Sequence, residues 1–250
     1  MLAFITGASA GFGAATARLF VKHGHRVIIS ARRAERLQKL QHELGENCYA
    51  LAFDVSDESA VLAALNRLPP SWQEIDVLIN NAGLALGVAG AQTCKLNDWK
   101  QMINTNITGL VTLTHALLPQ MVARNRGHII NLGSIAGSYP YPGGNVYGAS
   151  KAFVKQFSLN LRADLVGTAI RVTNVEPGLC GGTEFSNVRF YGDDEKATAL
   201  YANVDYITPD DIAETLLWIA QRPAHVNINR IEIMPVAQAP AGLVVKKKET

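Results

Sequence analysis

The sequence predicts an α/β fold, a doubly wound parallel sheet of seven strands in one domain. Three observations carry that expectation. Seven short, β-branched, near-continuous apolar runs recur along the chain, the pattern of strands buried on both faces. Segments of helical period separate them, and strand–helix alternation with right-handed crossovers builds a parallel sheet. A glycine-rich turn, "TGASAGFG" at 6–13, joins the first run to the first helical segment.

In chain order, strands are expected at "LAFIT" (2–6), "RVIIS" (26–30), "CYALAFDV" (48–55), "DVLINNAG" (76–83), "HIINLGS" (128–134), "IRVTNVEPG" (170–178) and "RIEIMPV" (230–236). Helices are expected over 11–23, 33–44, 56–67, 97–123 with a break near Gly109, 146–165 and 208–221. Two carry start signals: "SDES" from Ser56, and "TPDD", with Thr208 as N-cap and Pro209 at the first helical position. No Pro/Gly/Ser-rich linker or repeat divides residues 1–250, which read as one dinucleotide-binding domain. Residues 179–207 break the rhythm. They are too long for a simple loop and read as a lid inserted before the last helix.

Composition narrows the function classes. A chain of 250 residues should bury about three quarters of its extended surface. With 48% apolar and 18% charged residues it reads as globular. A net charge of +2 is too small to argue for nucleic acid or a membrane surface. The one basic run, "KKKE" at 246–249, reads as a solvated tail. Cys48, Cys94 and Cys180 show no CxxC or metal-ligand spacing, so reduced thiols and no metal are expected. The first strand starts at Leu2, leaving no room for a signal peptide, and no apolar run reaches membrane-spanning length. A cytoplasmic location is the expectation.

The glycine turn points to a dinucleotide and to a Rossmann-type sheet. Gly7 permits a tight turn, Gly11 lets backbone approach a pyrophosphate, and Gly13 lets the helix pack close to the strand. Ser9 and Phe12 belong to the same turn. The end of the second strand reads "SARR". Ala31 stands where a carboxylate would meet a free ribose 2′-hydroxyl, and Arg32 and Arg33 follow it. Guanidinium groups match a 2′-phosphate, so NADP is expected over NAD, although two arginines can also simply open a surface helix. At the third strand's end Asp54 and Val55 could meet an adenine, or Asp54 could serve a helix start.

"YGASK" places Tyr147 and Lys151 on one helix face, with Cβ atoms roughly 6 Å apart. Alone, such a pair is a helix face like any other. Its company changes that: "NNAG" (80–83), Asn106 in "NTNITG", Ser134 with twelve residues between it and Tyr147, and "PG" (177–178). Together these motifs resemble the short-chain dehydrogenase/reductase family over nearly the whole chain. Stretches such as "GSYPYPGGNVYGASK" and "EPGLCGGTEFSNVRF" resemble its subgroup of NADP-dependent 3-hydroxy acid dehydrogenases, which act on L-serine, L-allo-threonine and related acids or reduce the corresponding semialdehyde.

The resemblance implies Tyr147 as general base or acid, which needs a pKa below the ordinary value of about 10; the Lys151 ammonium and a bound nicotinamide cation both stabilise the phenolate. It implies Ser134 on the substrate oxygen and Asn106 holding a relay water to Lys151. Cofactor contacts are expected from Asn81, Gly83, Tyr147, Lys151, Pro177, Gly178 and Thr183. Thr183 lies one residue further from "PG" than the family pattern has it. Substrate contacts are expected from Ser134, Tyr147 and Asn145, with Arg189 as the cation for a carboxylate. A homotetramer is implied, through helices near 97–126 and 146–165. The alternatives are reduction of another carbonyl (a 3-oxoacyl thioester, sugar or xenobiotic ketone) or a non-catalytic NADP(H)-binding scaffold.

Overall fold

The computed structural model describes residues 1–240 and Val245. The basic run at 246–249 lies outside the described residues. Seven strands are present: β1 (Leu2–Thr6), β2 (Arg26–Ala31), β3 (Cys48–Ala52), β4 (Val77–Asn80), β5 (Gly127–Leu132), β6 (Ile170–Pro177) and β7 (Arg230–Ile233). They form one parallel sheet in the order β3-β2-β1-β4-β5-β6-β7. Each expected strand is there, several of them shorter than the apolar run that announced it.

The chain winds outward from β1 to β3 and then returns to pair β4 beside β1, Ala3 against Val77 and Ile5 against Ile79. That reversal opens a crevice beyond the carboxyl ends of β1 and β4, where ligands bind in such sheets. The period-two alternation of each strand feeds two separate cores. Ala3, Ile5, Val27 and Ile29 face helices α1 (Gly11–Lys22), α2 (Ala34–Leu44) and, late in the chain, Pro209–Ala220. Phe4, Ile28, Leu78 and Ile129 face α3 (Glu58–Asn66) and the helices at Leu110–Ala123 and Asn145–Asp164.

The helix expected over 97–123 is not broken at Gly109. α4 (Leu96–Ile103) runs into a π turn, Asn104–Gly109, and on into α5 (Leu110–Ala123). A π turn widens the helix by one residue instead of ending it, and such turns gather at functional sites. α3 starts at Glu58 with Asp57 as its cap, accepting from Ala60 N–H (3.0 Å), because Ser56 is taken up by Asp54. α6 spans Asn145–Asp164. Residues 179–207 carry two short helices, α7 (Phe185–Arg189) and α8 (Asp194–Ala199). α9 (Pro209–Ala220) begins with the expected capping box: Thr208 N–H donates to Asp211 Oδ2 (2.7 Å) and Asp211 N–H to Thr208 Oγ1 (3.3 Å). No helix among the described residues is long and apolar enough to cross a membrane.

Candidate active site

The glycine turn is built against the end of β4. Thr6 Oγ1 accepts from Asn81 N–H (2.9 Å) and Ala82 N–H (2.8 Å), and Asn81 Nδ2 donates to Thr6 O (2.7 Å). Asn81 therefore bolts the turn to the end of β4. Gly7 and Gly11 sit at φ 68° and 52°, a region that favours glycine. A Cβ on Gly13 would fall 2.7 Å from Gly7 O and 2.8 Å from Ala8 Cα, so α1 can lie this close only with glycine there. Phe12 packs, partly buried, against the core. Among the described residues no side chain caps α1 and no acid stands in its first turn, so its free N–H groups and positive dipole end face the crevice. These features fit a dinucleotide pyrophosphate.

At the adjoining end of the sheet, Ala31 is buried where a carboxylate would be. Arg33 lays its fork on Ser9, with Nε and Nη2 at 3.2 and 2.9 Å from Oγ. Arg32 is more exposed and stands 3.8 Å from Asp54 Oδ2. Asp54 Oδ1 accepts from the Ser56 N–H (2.9 Å) and hydroxyl (2.7 Å), a local turn just ahead of α3. Val55 is buried in the core on the α3 side. The arrangement offers a 2′-phosphate two guanidiniums and a hydroxyl, with no carboxylate on β2 to repel it.

The candidate reacting groups come from the end of β5 and from α6. Ser134 leaves β5 extended (φ −172°) and caps a short 3-10 turn, Ile135–Gly137. A Cβ on Gly137 would lie 2.7 Å from the Lys151 carbonyl carbon, so this glycine lets the turn press onto α6 and brings Ser134 to Tyr147. Tyr147 is 9% exposed and Lys151 7%. Lys151 Nζ donates to Leu132 O (2.8 Å) and stands 5.9 Å from the Tyr147 ring centroid.

The protein's own groups around Tyr147 do not by themselves lower its pKa. Burial dominates and pushes the phenol up to about 12, with Ser134's hydrogen bond and then Arg189 acting to lower it. Burial likewise pulls Lys151 down to about 8. Each ionisable group resists charging because water is excluded from both.

Asn106 lies buried in the π turn. Its Oδ1 accepts from Leu84 N–H (2.9 Å), and Nδ2 donates to Leu84 O (2.9 Å) and Ser150 Oγ (3.0 Å). Both amide hydrogens are spent clamping the loop after β4 to α6, which leaves one Oδ1 lone pair for the relay water of the sequence expectation. Gly83 sits between Asn106 and Lys151, where a Cβ would approach Oδ1 to 3.3 Å and Nζ to 3.4 Å.

Residues 179–191 strap across the crevice. β6 ends at Pro177, and Gly178 N–H donates to Ile233 O (2.7 Å). Thr183 lies over the glycine turn, its Cγ2 3.1 Å from where a Gly11 Cβ would be, and its Oγ1 accepts from Phe185 N–H (3.2 Å). The Phe185 ring covers Tyr147 at 5.7 Å between centroids. Arg189 brings its guanidinium to 5.8 Å from the Tyr147 ring centroid and donates from Nη2 to Tyr141 Oη (2.7 Å). The strap's far end is held where Tyr191 Oη donates to Asp98 Oδ2 (2.6 Å) and Gly87 N–H donates to Arg189 O (2.9 Å). Asn145, at φ 20°, donates from Nδ2 to Ala89 O (3.3 Å) and so braces the loop after β4.

Tyr141, Phe185, Arg36 and Glu184 escaped sequence reasoning. Arg36 had a signal, one helical turn after Arg33. The other three lie in stretches that carry the family resemblance, but only the fold brings them to the crevice.

The short chain dehydrogenase family model matches residues 1–192. The probable NADP-dependent dehydrogenase of Haemophilus influenzae is 61% identical over 247 residues, covering 99% of this chain and 98% of that protein. The NADP-dependent 3-hydroxy acid dehydrogenase YdfG of Salmonella typhi is 59% identical over 247 residues, covering 99% and 100%. A solved structure of a serine dehydrogenase, in its closed form with NADP+, superposes with a TM-score of 0.96 at 57% identity, covering 99% and 100%. With a family model over residues 1–192 and relatives 57–61% identical over almost the whole chain, the chain belongs to the short chain dehydrogenases.

Proposed function

We propose that the chain is an NADP-dependent dehydrogenase of small 3-hydroxy acids, of the L-serine, L-allo-threonine or 3-hydroxypropanoate type, working also in reverse on the 3-oxo acid or semialdehyde. The observation that carries it is Arg189, a cation 5.8 Å from the Tyr147 ring in the covered crevice, where a substrate with its hydroxyl at Tyr147 would present a carboxylate. The relatives' names point to the same cofactor and substrate class.

Bound NADP supplies the hydride acceptor. The glycine turn and the α1 N-terminus hold its pyrophosphate, and Arg33, Ser9 and Arg32 its 2′-phosphate. Ser134 donates a hydrogen bond to the substrate oxygen. Tyr147 takes the hydroxyl proton in oxidation and returns it in reduction. Lys151, anchored on Leu132 O, supplies positive charge beneath the phenol. Phe185 and the strap exclude water.

The test is reduced-nicotinamide absorbance with NADP against L-serine, L-allo-threonine, 3-hydroxypropanoate, 3-hydroxyisobutyrate and a sugar alcohol. Acids are expected to turn over and the uncharged alcohol to fail; a preference for the alcohol sinks the proposal. Arg189→Ala should raise KM for the acids by about ten- to a hundredfold with a smaller change in kcat, the loss of a charged hydrogen bond. An unaltered KM removes Arg189 from the substrate site.

A homotetramer in the cytoplasm is part of the same proposal. Exposed Leu96, Ile103, Phe153 and Leu159 on α4 and α6, with the Phe153 and Phe157 rings stacked at 5.8 Å, support self-association. A monomeric mass by light scattering would contradict it.

A further inference from the structure

The strap is fastened at the cofactor end by one carboxylate. Glu184 Oε1 lies 2.6 Å from Arg36 Nη1, and Oε2 lies 2.7 Å from Arg33 Nη1. Arg33 is the same side chain that lays Nε and Nη2 on Ser9. Glu184 directly follows Thr183, which rests on the glycine turn. Burial works against ionising Glu184, but the hydrogen bonds of Arg36 and Arg33 outweigh it and hold the carboxyl below its ordinary pKa. The carboxylate is thus charged at neutral pH and faces the guanidinium that a 2′-phosphate would use.

We propose that Glu184 is a specificity-determining residue, an anion carried by the strap that competes with the ribose 2′-phosphate for Arg33 and lowers the protein's preference for NADP(H) over NAD(H). The inference rests on Arg33 being a phosphate arginine. Two anions share one guanidinium, and a dianionic phosphate brought beside a carboxylate is repelled by it. Arg36 tempers the competition by giving Glu184 a second cation. The pairs are partly exposed, so the effect is modest and screened by salt. NAD(H) lacks the phosphate and does not meet the competition, although it sits under the same strap. The ratio of the two affinities therefore separates this role from simple strap anchoring.

The experiment measures dissociation constants of NADPH and NADH for the full chain by nicotinamide fluorescence, in wild type, Glu184→Gln, Glu184→Ala and Arg33→Ala, at low and high salt. Both Glu184 variants are expected to increase the NADPH preference about two- to fivefold at low salt, with the gain shrinking at high salt. Loosening of the strap should weaken both cofactors alike. An unchanged or reduced preference in the Glu184 variants overturns the inference. Arg33→Ala reports separately: it should cut the NADPH preference, and if it does not, the phosphate-site assignment falls.

Discussion

Tyr147→Phe is expected to keep NADPH binding and to lose turnover by about a hundred- to ten-thousandfold, the range that a positioned acid or base contributes. The variant removes one oxygen and little else. The ring stays against Phe185 at 5.7 Å, and the strap, the glycine turn and the arginines are untouched. The buried phenol, pushed up to about 12, stays protonated at neutral pH. It is a ready donor for reduction. In the oxidative direction it must lose that proton, so the oxidative rate should climb as pH rises while the reductive rate does not. Cofactor affinity comes from nicotinamide fluorescence and the rates from absorbance. Wild-type-like turnover in the variant would end the assignment of Tyr147.

Lys151→Met is expected to abolish most activity and to stabilise the cofactor-free chain. The Lys151 ammonium is enclosed, and burial pulls its pKa from 10.5 to about 8. Below pH 8 the folded chain carries a buried charge at a cost. Between pH 8 and 10.5 the unfolded chain keeps its proton while the folded one sheds it, so wild-type stability should rise with pH across that window. The shift corresponds to about 3 kcal/mol at neutral pH, and losing the hydrogen bond to Leu132 O returns about 1 kcal/mol, for a net gain of about 2 kcal/mol. That is roughly 5 °C in Tm for a chain of this size. Melts at pH 7 should show the gain, and melts near pH 10 should show it mostly gone. No gain at pH 7 would mean that the ammonium is not strained by its surroundings. The combination of higher stability and lost activity is the trade expected of a charge buried for chemistry.

Local patterns made much of the fold legible. Near-continuous β-branched runs mark parallel strands because such strands are buried on both faces, and all seven fall in the one sheet. The capping box at Thr208 and the glycine turn at 6–13 depend on neighbours within a few residues, so they too could be read directly. The Gly109 break was misread. Glycine lowers helix propensity, yet packing carried α4 into α5 through a π turn.

For the site, the sequence by itself determined which chemistry-bearing residues exist and at what helical spacing: Ser134, Tyr147 with Lys151, the three glycines and the arginines after Ala31. Only the tertiary structure decided their environment. It buried Tyr147 and Lys151 together, which by itself raises the phenol's pKa, because desolvation depends on everything packed around a group as well as on its partner at i+4. It aimed Arg189 at Tyr147 and laid Glu184 across Arg33 and Arg36, the latter contact joining residues 148 positions apart. Spacing along a chain records helix and strand periodicity, and contacts of that range arise only when a sheet reversal and a strap bring distant segments over one crevice.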